Sequence, residues 1–257
     1  MDLGLTGKIA LVTGGTRGLG WATVQRLAAE GCDIGLCSRS ADAVEERTSA
    51  LQRQEIRAHG VVADMTQPAE VERFVEECAS ALGSVDLLVA NVGGSAGAGL
   101  LETTRDDWIR TFDLNLFHAV AAVRAAVPHM QQRGGGSVAI IASISGSKPA
   151  PRGQYGAAKA AEIFLAGALA WELAPHRIRV NAVSPGSIMF PDGGWERFEA
   201  NNPDRFTQFQ EREFPWGRLG RAEEVADVVA FVLSERANWI NGANIPVDGA
   251  QGRPNAF

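Results

Sequence analysis

The chain has 257 residues, of which 46% are hydrophobic and 21% are charged, which fits one globular domain with a substantial core. The formal net charge of −6 argues against a nucleic-acid surface, and three cysteines without CxxC spacing indicate neither a disulfide framework nor a metal site. There is no signal-peptide pattern and no apolar run long enough for a membrane span, so we expect a cytoplasmic protein without nucleic-acid or membrane partners.

Short apolar or β-branched runs alternate with longer amphipathic segments along the chain. The short runs predict seven buried strands at Ile9–Val12, Asp33–Cys37, Gly60–Ala63, Leu87–Ala90, Val138–Ile141, Val180–Val183 and Asn244–Val247. The longer segments predict helices near 18–30, 41–56, 68–82, 105–132, 153–174 and 222–234. This alternation is typical of a single doubly wound α/β domain, in which helices cover both faces of a parallel sheet. Ligands of such folds lie at the carboxyl ends of the strands.

A glycine-rich turn, Thr13-Gly-Gly-Thr-Arg-Gly-Leu-Gly20, joins the first predicted strand directly to the first predicted helix. Glycines let the backbone approach a pyrophosphate, and a helix N-terminus presents free N–H groups and its positive dipole end. The alternative is a tight connection without a ligand, which this placement disfavours. The turn therefore predicts a dinucleotide site, and the residues expected to contact the cofactor there are Gly14, Thr16, Arg17, Gly18, Leu19 and Gly20.

The single tyrosine of the chain, Tyr155, lies four residues before Lys159, one of only three lysines. This spacing places both side chains on one helix face, one turn apart. A free phenol has a pKa of about 10, so it is a poor acid or base at neutral pH unless a fixed positive charge stabilises the phenolate. The pair indicates a proton-transfer device, although on these five residues alone the alternative is chance spacing on a half-exposed helix.

With these two motifs the chain resembles the short-chain dehydrogenase/reductase family, whose members carry T-G-x-x-x-G-x-G in the cofactor loop and Y-x-x-x-K on the catalytic helix. The resemblance extends from Gly7 to Gly249 and implies a Rossmann-type fold and an NAD(P)-dependent oxidoreductase resembling 3-oxoacyl-[acyl-carrier-protein] reductases. Further positions match the family's motifs in order: Asp64 with Met65, Asn91, Asn115, Ser143, and the Pro185-Gly186 turn.

The resemblance implies a catalytic set of Asn115, Ser143, Tyr155 and Lys159. Tyr155 would exchange a proton with the substrate oxygen while the nicotinamide exchanges a hydride with the carbon. Lys159 would favour the phenolate and bind the nicotinamide ribose, and Asn115 would hold a water that relays protons. Ser143 would donate a hydrogen bond to the substrate oxygen. Ser145 competes for that role, although the S-x-x-G spacing favours Ser143.

Residues at the end of the second strand favour NADP(H) over NAD(H). A carboxylate there would bind both ribose hydroxyls of NAD, whereas an arginine would attract the 2′-phosphate of NADP. This chain has Ser38 and Arg39 at that place, and Arg17 lies in the glycine-rich turn. The alternative is that both arginines are solvated surface residues. After the sixth strand, Ile188 is expected to pack against the nicotinamide, and Phe190 stands where the family commonly has a threonine.

Seven aromatic residues between Phe190 and Trp216 predict a substrate lid at about 187–216 within the single domain of residues 1–257. Their rings either line a hydrophobic substrate site or pin a helical hairpin to the body of the domain. The family resemblance also implies a homotetramer.

We predict hydride transfer between a nicotinamide cofactor, with NADPH favoured, and a small-molecule ketone or secondary alcohol, with 3-oxoacyl thioesters as one candidate substrate. An NAD-linked polyol or sugar dehydrogenase is the alternative within the enzyme class. A non-catalytic dinucleotide-binding redox sensor is the alternative of another class, because a fold does not guarantee chemistry. The joint presence of the four catalytic residues disfavours the sensor, which would need only the cofactor site.

Overall fold

Seven parallel strands form the central sheet of the computed structural model, which describes residues 2–252. Along the described chain the strands are β1 (Ile9–Val12), β2 (Asp33–Ser38), β3 (Ala58–Val62), β4 (Leu87–Ala90), β5 (Gly136–Ile141), β6 (Ile178–Pro185), β7 (Ile188–Met189), β8 (Gly220–Arg221) and β9 (Asn244–Val247). The sheet order is β3-β2-β1-β4-β5-β6-β9, and β7 and β8 form a separate parallel pair. The prediction of a doubly wound, seven-stranded parallel sheet is confirmed.

Helices cover both faces of this sheet. They are α1 (Gly18–Ala29), α2 (Ala41–Gln52), α3 (Pro68–Leu82), α4 (Arg105–Phe112), α5 (His118–Gln132), α6 (Gly153–Leu173), α7 (Gly194–Asn201), α8 (Pro203–Glu213) and α9 (Ala222–Leu233). No helix within residues 2–252 is long and apolar enough to cross a lipid bilayer.

The core consists of two layers, one on each face of the sheet. Along β1, Ile9 and Leu11 belong to the layer that contains α3, α5 and α6, whereas Ala10 and Val12 belong to the layer that contains α1 and α9. All four residues are buried, so the strand reads as a continuous apolar run rather than as an alternating one.

The segment predicted as one helix over 105–132 is divided in the structure. A π-helical turn, Asp113–Phe117, separates α4 from α5. At its centre the amide of Asn115 turns inward, where Nδ2 donates to the carbonyl oxygens of Thr111 at 2.6 Å and Gly94 at 2.7 Å. Such turns carry an extra residue in a helix and are frequent at functional sites. Helical periodicity alone does not distinguish this turn from a continuous helix.

The strand ends bring the predicted site residues to one edge of the sheet. The glycine-rich turn follows β1, Asn91 follows β4, and Ser143 follows β5. Helix α6 approaches the Ser143 turn closely at Gly146, where a β-carbon would lie 2.7 Å from the carbonyl carbon of Lys159. The glycine therefore allows the catalytic helix to pack directly against the turn that carries Ser143.

Candidate active site

Lys159 is a buried cation at the centre of the site. Its Nζ donates a hydrogen bond to the Ile141 carbonyl at 2.8 Å and lies 2.9 Å from Oε2 of Glu162 and 3.2 Å from Oε1. The same Nζ lies 5.7 Å from the ring centroid of Tyr155. Tyr155 is half-buried in the first turn of α6, so the structure places the phenol and the ammonium on one helix face.

Ser143 caps the short 3₁₀ turn Ile144–Gly146. Its Oγ accepts a hydrogen bond from the backbone N–H of Ser145 at 3.1 Å. Because that bond uses a lone pair of the hydroxyl, the O–H remains free to donate to a substrate oxygen. Ser145 thus supports Ser143 through its backbone, which favours Ser143 over Ser145 as the candidate donor.

The side chain of Asn115 is fully buried and bound to the backbone. In addition to the two bonds from Nδ2, its Oδ1 accepts from the N–H of Gly94 at 3.2 Å. A β-carbon on Gly93 would lie 2.9 Å from that Oδ1 and 3.1 Å from Nζ of Lys159. Gly93 therefore lies against both polar atoms, and Asn115 anchors the loop that follows β4 beside the lysine.

His118, which the sequence analysis missed, connects Asn115 to the start of the glycine-rich turn. Its Nδ1 lies 2.7 Å from the carbonyl oxygen of Asn115, and its Nε2 lies 3.3 Å from Oγ1 of Thr13. A carbonyl only accepts, so the tautomer with a proton on Nδ1 fits these contacts. Burial, together with the charge of Lys159, lowers the pKa of His118 to about 4. The imidazole is therefore neutral at pH 7.

The glycine-rich turn has the shape that a pyrophosphate requires. Gly14 and Gly18 have φ of +64° and +53°, and a β-carbon at Gly14 would lie 2.9 Å from Cγ2 of Val92. A β-carbon at Gly20 would collide with the carbonyl oxygen of Gly14. At the start of α1 the side chain of Arg17 makes no capping hydrogen bond, so the first N–H groups stay available to an anion. These residues fit a dinucleotide.

The remaining residues of this turn support its shape. Thr16 is buried, and its carbonyl accepts a hydrogen bond from Nε of Arg47 at 3.2 Å. The guanidinium of Arg47, which the sequence analysis also missed, lies 4.6 Å from the ring centroid of Trp21. Leu19 packs against the core layer of α1 and α9.

Arg17 and Arg39 are exposed at the ends of β1 and β2, and within residues 2–252 neither forms an ion pair. Ser38 is half-buried, and its carbonyl accepts a hydrogen bond from the N–H of Ala63 at 3.0 Å. This bond joins the ends of β2 and β3, so Asp64, the next residue after Ala63, lies at the same carboxyl edge of the sheet as Ser38. Both guanidinium groups therefore stay available to a phosphate beside the glycine-rich turn.

Asp64, Met65 and Asn91 occupy the ends of β3 and β4. Oδ1 of Asp64 accepts from the N–H of Thr66 at 3.0 Å, and Met65 is buried. Nδ2 of Asn91 donates to the carbonyls of Thr13 at 2.9 Å and Gly14 at 3.3 Å. The Asn91 amide therefore fixes the backbone at the start of the glycine-rich turn, which is a structural role.

The Pro185-Gly186 turn is held by Gln251, another residue that the sequence analysis missed. Oε1 of Gln251 accepts from the N–H of Ser187 at 2.7 Å, and its Nε2 donates to Oγ of Ser187 at 3.0 Å. Ile188 is buried in β7 next to this turn. The ring of Phe190 lies against Gly18, where a β-carbon would be 2.9 Å from Cε2. An apolar ring therefore borders the glycine-rich turn where the family commonly has a threonine.

The segment predicted as a lid forms α7 and α8, whose aromatic rings pack mainly against one another. Trp195 stacks on Phe209 with centroids 4.6 Å apart, and Phe206 and Phe214 are buried in the same cluster. Nζ of Lys148 donates to Oε2 of Glu213 at 2.6 Å and to the carbonyl of Gln251 at 2.9 Å. The rings thus stabilise the hairpin itself, and Lys148 ties the end of α8 to the turn before α6.

Gln154 ties the start of α6 to the loop after β4. It is buried, and its Nε2 donates to the carbonyls of Ala96 at 2.8 Å and Ala98 at 3.3 Å. The glutamine therefore fixes the loop after β4 against the first turn of α6. As a common residue type outside any motif, it has no sequence feature that would have marked it.

Comparisons with known proteins agree with this architecture. A family model described as enoyl-(acyl carrier protein) reductase matches residues 14–250. Dehydrogenase/reductase SDR family member 4 of the rabbit, Oryctolagus cuniculus, is 35% identical over 249 residues, which cover 95% of this chain and 94% of that protein.

Two solved structures are similar over nearly the whole chain. L-Sorbose reductase from Gluconobacter frateurii, complexed with NADPH and L-sorbose, has a TM-score of 0.93 and 32% identity and covers 99% of this chain and 100% of that chain. A 7α-hydroxysteroid dehydrogenase complexed with NADH and 7-oxo glycochenodeoxycholic acid has a TM-score of 0.89 and 27% identity and covers 96% of this chain and 95% of that chain.

The fold and these relatives define the class of the protein, which is an NAD(P)-dependent dehydrogenase or reductase. Within that class, the chain belongs to the short-chain dehydrogenase/reductase family. The resemblance read from the motifs and the prediction of an enzyme are both confirmed.

Proposed function

We propose that this protein reduces a ketone to a secondary alcohol with NADPH, and that Tyr155 supplies the proton. The observation that carries the proposal is the buried ammonium of Lys159, which lies 5.7 Å from the ring of the only tyrosine at the carboxyl edge of the sheet. A positive charge at this distance favours the phenolate that remains after the phenol gives up its proton.

Each residue of the proposed catalytic set has a separate task. When bound, the nicotinamide supplies a hydride to the carbonyl carbon, and the reverse transfer accompanies alcohol oxidation. Tyr155 donates its proton to the carbonyl oxygen, and the free O–H of Ser143 stabilises the negative charge that develops there. Lys159 binds the nicotinamide ribose and supports the phenolate, and Asn115 holds the loop beside the lysine.

NADPH is the proposed cofactor because two arginines, Arg17 and Arg39, lie at the edge that would receive the adenosine ribose. The residues at the end of β2, Ser38 and Arg39, include no carboxylate that would repel a 2′-phosphate. The remaining cofactor contacts are proposed as predicted: the glycine-rich turn, Asp64 with Met65, Asn91, and the Pro185-Gly186 turn with Ile188. The NADPH complex of L-sorbose reductase supports this choice, whereas the NADH complex of the hydroxysteroid dehydrogenase supports the alternative.

For the substrate, a 3-oxoacyl thioester is the first candidate, and a ketose or polyol is the second because of the likeness to L-sorbose reductase. We further propose that residues 1–257 work as one domain with a lid at about 187–216, as a cytoplasmic homotetramer. Three buried free thiols, Cys32, Cys37 and Cys78, are compatible with a reducing compartment.

The substitution Tyr155→Phe tests the proposed function. With NADPH and a panel of 3-oxoacyl thioesters, ketoses and simple ketones, we expect the wild type to turn over at least one substrate. The variant should lose at least about 10³-fold in kcat, because it lacks the proton donor. NADPH binding, followed by cofactor fluorescence, should stay within about twofold of wild type, since the ring remains.

Two results would contradict the proposal. Turnover that survives in Tyr155→Phe would exclude the phenol as the acid, and a wild type that binds NADPH yet reduces nothing in the panel would favour a redox sensor.

A further inference from the structure

Glu162 is a fully buried carboxyl group that the catalytic set does not include. It lies three residues after Lys159 on α6, with Oε1 and Oε2 at 3.2 and 2.9 Å from Nζ. Oε1 accepts a hydrogen bond from Nζ, whereas Oε2 has no aligned donor within residues 2–252. Burial raises the pKa of the Glu162 carboxyl, and the Lys159 ammonium opposes that change. Both carboxylate oxygens lie within 3.2 Å of Nζ, which is the geometry of an ion pair, and the ammonium favours the ionised carboxylate.

The elements packed against this part of α6 bring no second carboxylate into contact with Lys159. β5 and the Ile144–Gly146 turn contain no ionisable side chain, and Arg179 of β6 donates to carbonyls of α9 and to that of Ile240. His118 stays neutral because of its lowered pKa. Most of the remaining charged groups are exposed: Arg152 at the start of α6, Arg105, Asp106 and Arg110 on α4, and His176 and Arg177 after α6. Asp107 is bound to Thr104, and Asp113 is half-buried without an ion pair in the described chain.

The phenol of Tyr155 therefore faces an ion pair instead of a bare ammonium. The ring centroid is 5.7 Å from Nζ, and both carboxylate oxygens of Glu162 are within 3.2 Å of that nitrogen. Opposite charges so close together cancel much of their potential at a third group. Loss of the carboxylate would leave the positive charge uncompensated, and an uncompensated cation stabilises the phenolate more strongly.

We propose that Glu162 is a positioning residue that offsets the charge of Lys159 and thereby sets the pH range over which Tyr155 keeps its proton. The carboxylate and the Ile141 carbonyl together hold Nζ in place, and the carboxylate raises the pH at which the phenol ionises. This inference rests on the proposed role of Tyr155 as the acid. By keeping the phenol protonated, the Glu162 carboxylate would extend the pH range of the proposed ketone reduction toward higher pH.

A spectroscopic titration tests this inference without any substrate. Because the chain has a single tyrosine, the tyrosinate absorbance of the purified, cofactor-free protein reports on Tyr155 alone. Tyr155→Phe supplies the blank. We expect Glu162→Gln, which removes the charge and keeps the shape, to lower the titration midpoint by about one pH unit.

Two further variants separate charge from other effects. Glu172→Gln changes an exposed glutamate on the same helix and should titrate like the wild type. Glu162→Asp keeps the carboxylate and should lie closer to wild type than Glu162→Gln does. If Glu162→Gln does not fold, as judged by circular dichroism and thermal unfolding, Glu162→Asn takes its place with the same expected shift, because its amide is also uncharged and its oxygen can still accept a hydrogen bond from the buried ammonium.

An unchanged or higher midpoint in the folded, uncharged variant would overturn the inference, and so would an equal shift in Glu162→Asp. Kinetics provide a second readout: in Glu162→Gln, kcat/KM for ketone reduction should begin to fall at a pH lower by the same amount. The titration needs no turnover, so a protein that is inactive on the whole panel would contradict the proposed function while leaving the midpoint shift measurable.

Discussion

Arg39 is exposed and forms no ion pair within residues 2–252, so no acidic side chain of that part of the chain competes for a phosphate. For Arg39→Ala we expect NADPH affinity to fall about 10- to 100-fold, because a charge-assisted hydrogen bond to the 2′-phosphate is lost. NADH affinity should change less than threefold. Binding titrations with both cofactors measure this difference.

Arg53→Ala is the matched control for Arg39→Ala, because Arg53 is exposed at the C-terminal end of α2, a few residues before β3 begins and not after the carboxyl end of a strand. It should bind both cofactors as the wild type does. Equal loss of NADH and NADPH in Arg39→Ala, or no loss of NADPH, would refute the proposed phosphate contact.

Single residues differ in how well the sequence reveals them. Tyr155 and Lys159 are rare types in this chain, and their spacing has a chemical meaning by itself. Glu162 and Gln251 are common types, and His118 belongs to no recognised motif, so only their contacts identify these three residues. Gln251, for example, binds Ser187, which lies 64 positions away. Helical spacing does place Glu162 beside Lys159, but it does not show that the carboxyl group is buried.

At the scale of elements, α6 carries chemistry on one face and large exposed apolar residues on another. Phe164 and Trp171, two turns apart, are 79% and 87% exposed. Such a face is typical of an assembly contact, in agreement with the proposed tetramer. We expect Trp171→Glu to give a smaller species in size-exclusion chromatography with light scattering, because a charge would be buried in the contact.

Trp216→Glu, a substitution of the same kind at another exposed tryptophan, should keep the mass of the wild type. Circular dichroism checks that both variants fold. A Trp171→Glu protein with unchanged mass would show that this face of α6 lies outside the assembly contact.

For the whole molecule, His118 couples the stability of the fold to pH. Burial, and to a smaller extent the charge of Lys159, lowers the pKa of His118 from 6.5 to about 4. Between pH 6.5 and 4, therefore, His118 is protonated in the unfolded chain but neutral in the folded chain. The free energy of unfolding should therefore decrease by about 3 kcal/mol from this residue as the pH falls from 6.5 to 4. Above about pH 7.5 the residue should contribute almost no pH dependence, because the imidazole is then neutral in the unfolded chain as well.

Denaturant unfolding at a series of pH values measures this effect. His118→Asn cannot take up the proton and should show a flatter dependence between pH 6.5 and 4. His176→Asn replaces an exposed histidine and should keep the wild-type slope. Equal slopes in the wild type and in His118→Asn would contradict a neutral, buried imidazole.

The sequence by itself determined the seven strands of the central sheet and their alternation with helices, and hence the parallel sheet. Strands such as β1 are buried on both faces, and this burial requires the continuous apolar runs that identify them. It also determined the glycine-rich turn and the Tyr155–Lys159 pair, because both depend on short spacings along one element.

Only the tertiary structure decided which distant polar groups meet. His118 and Thr13 are 105 positions apart and share a hydrogen bond, and Lys148 reaches Gln251 across 103 positions. The π-helical turn at Asn115 and the burial of Glu162 likewise depend on packing between elements. Local patterns constrain backbone conformation and the faces of an element, whereas the partner of a buried polar group depends on how whole elements pack together.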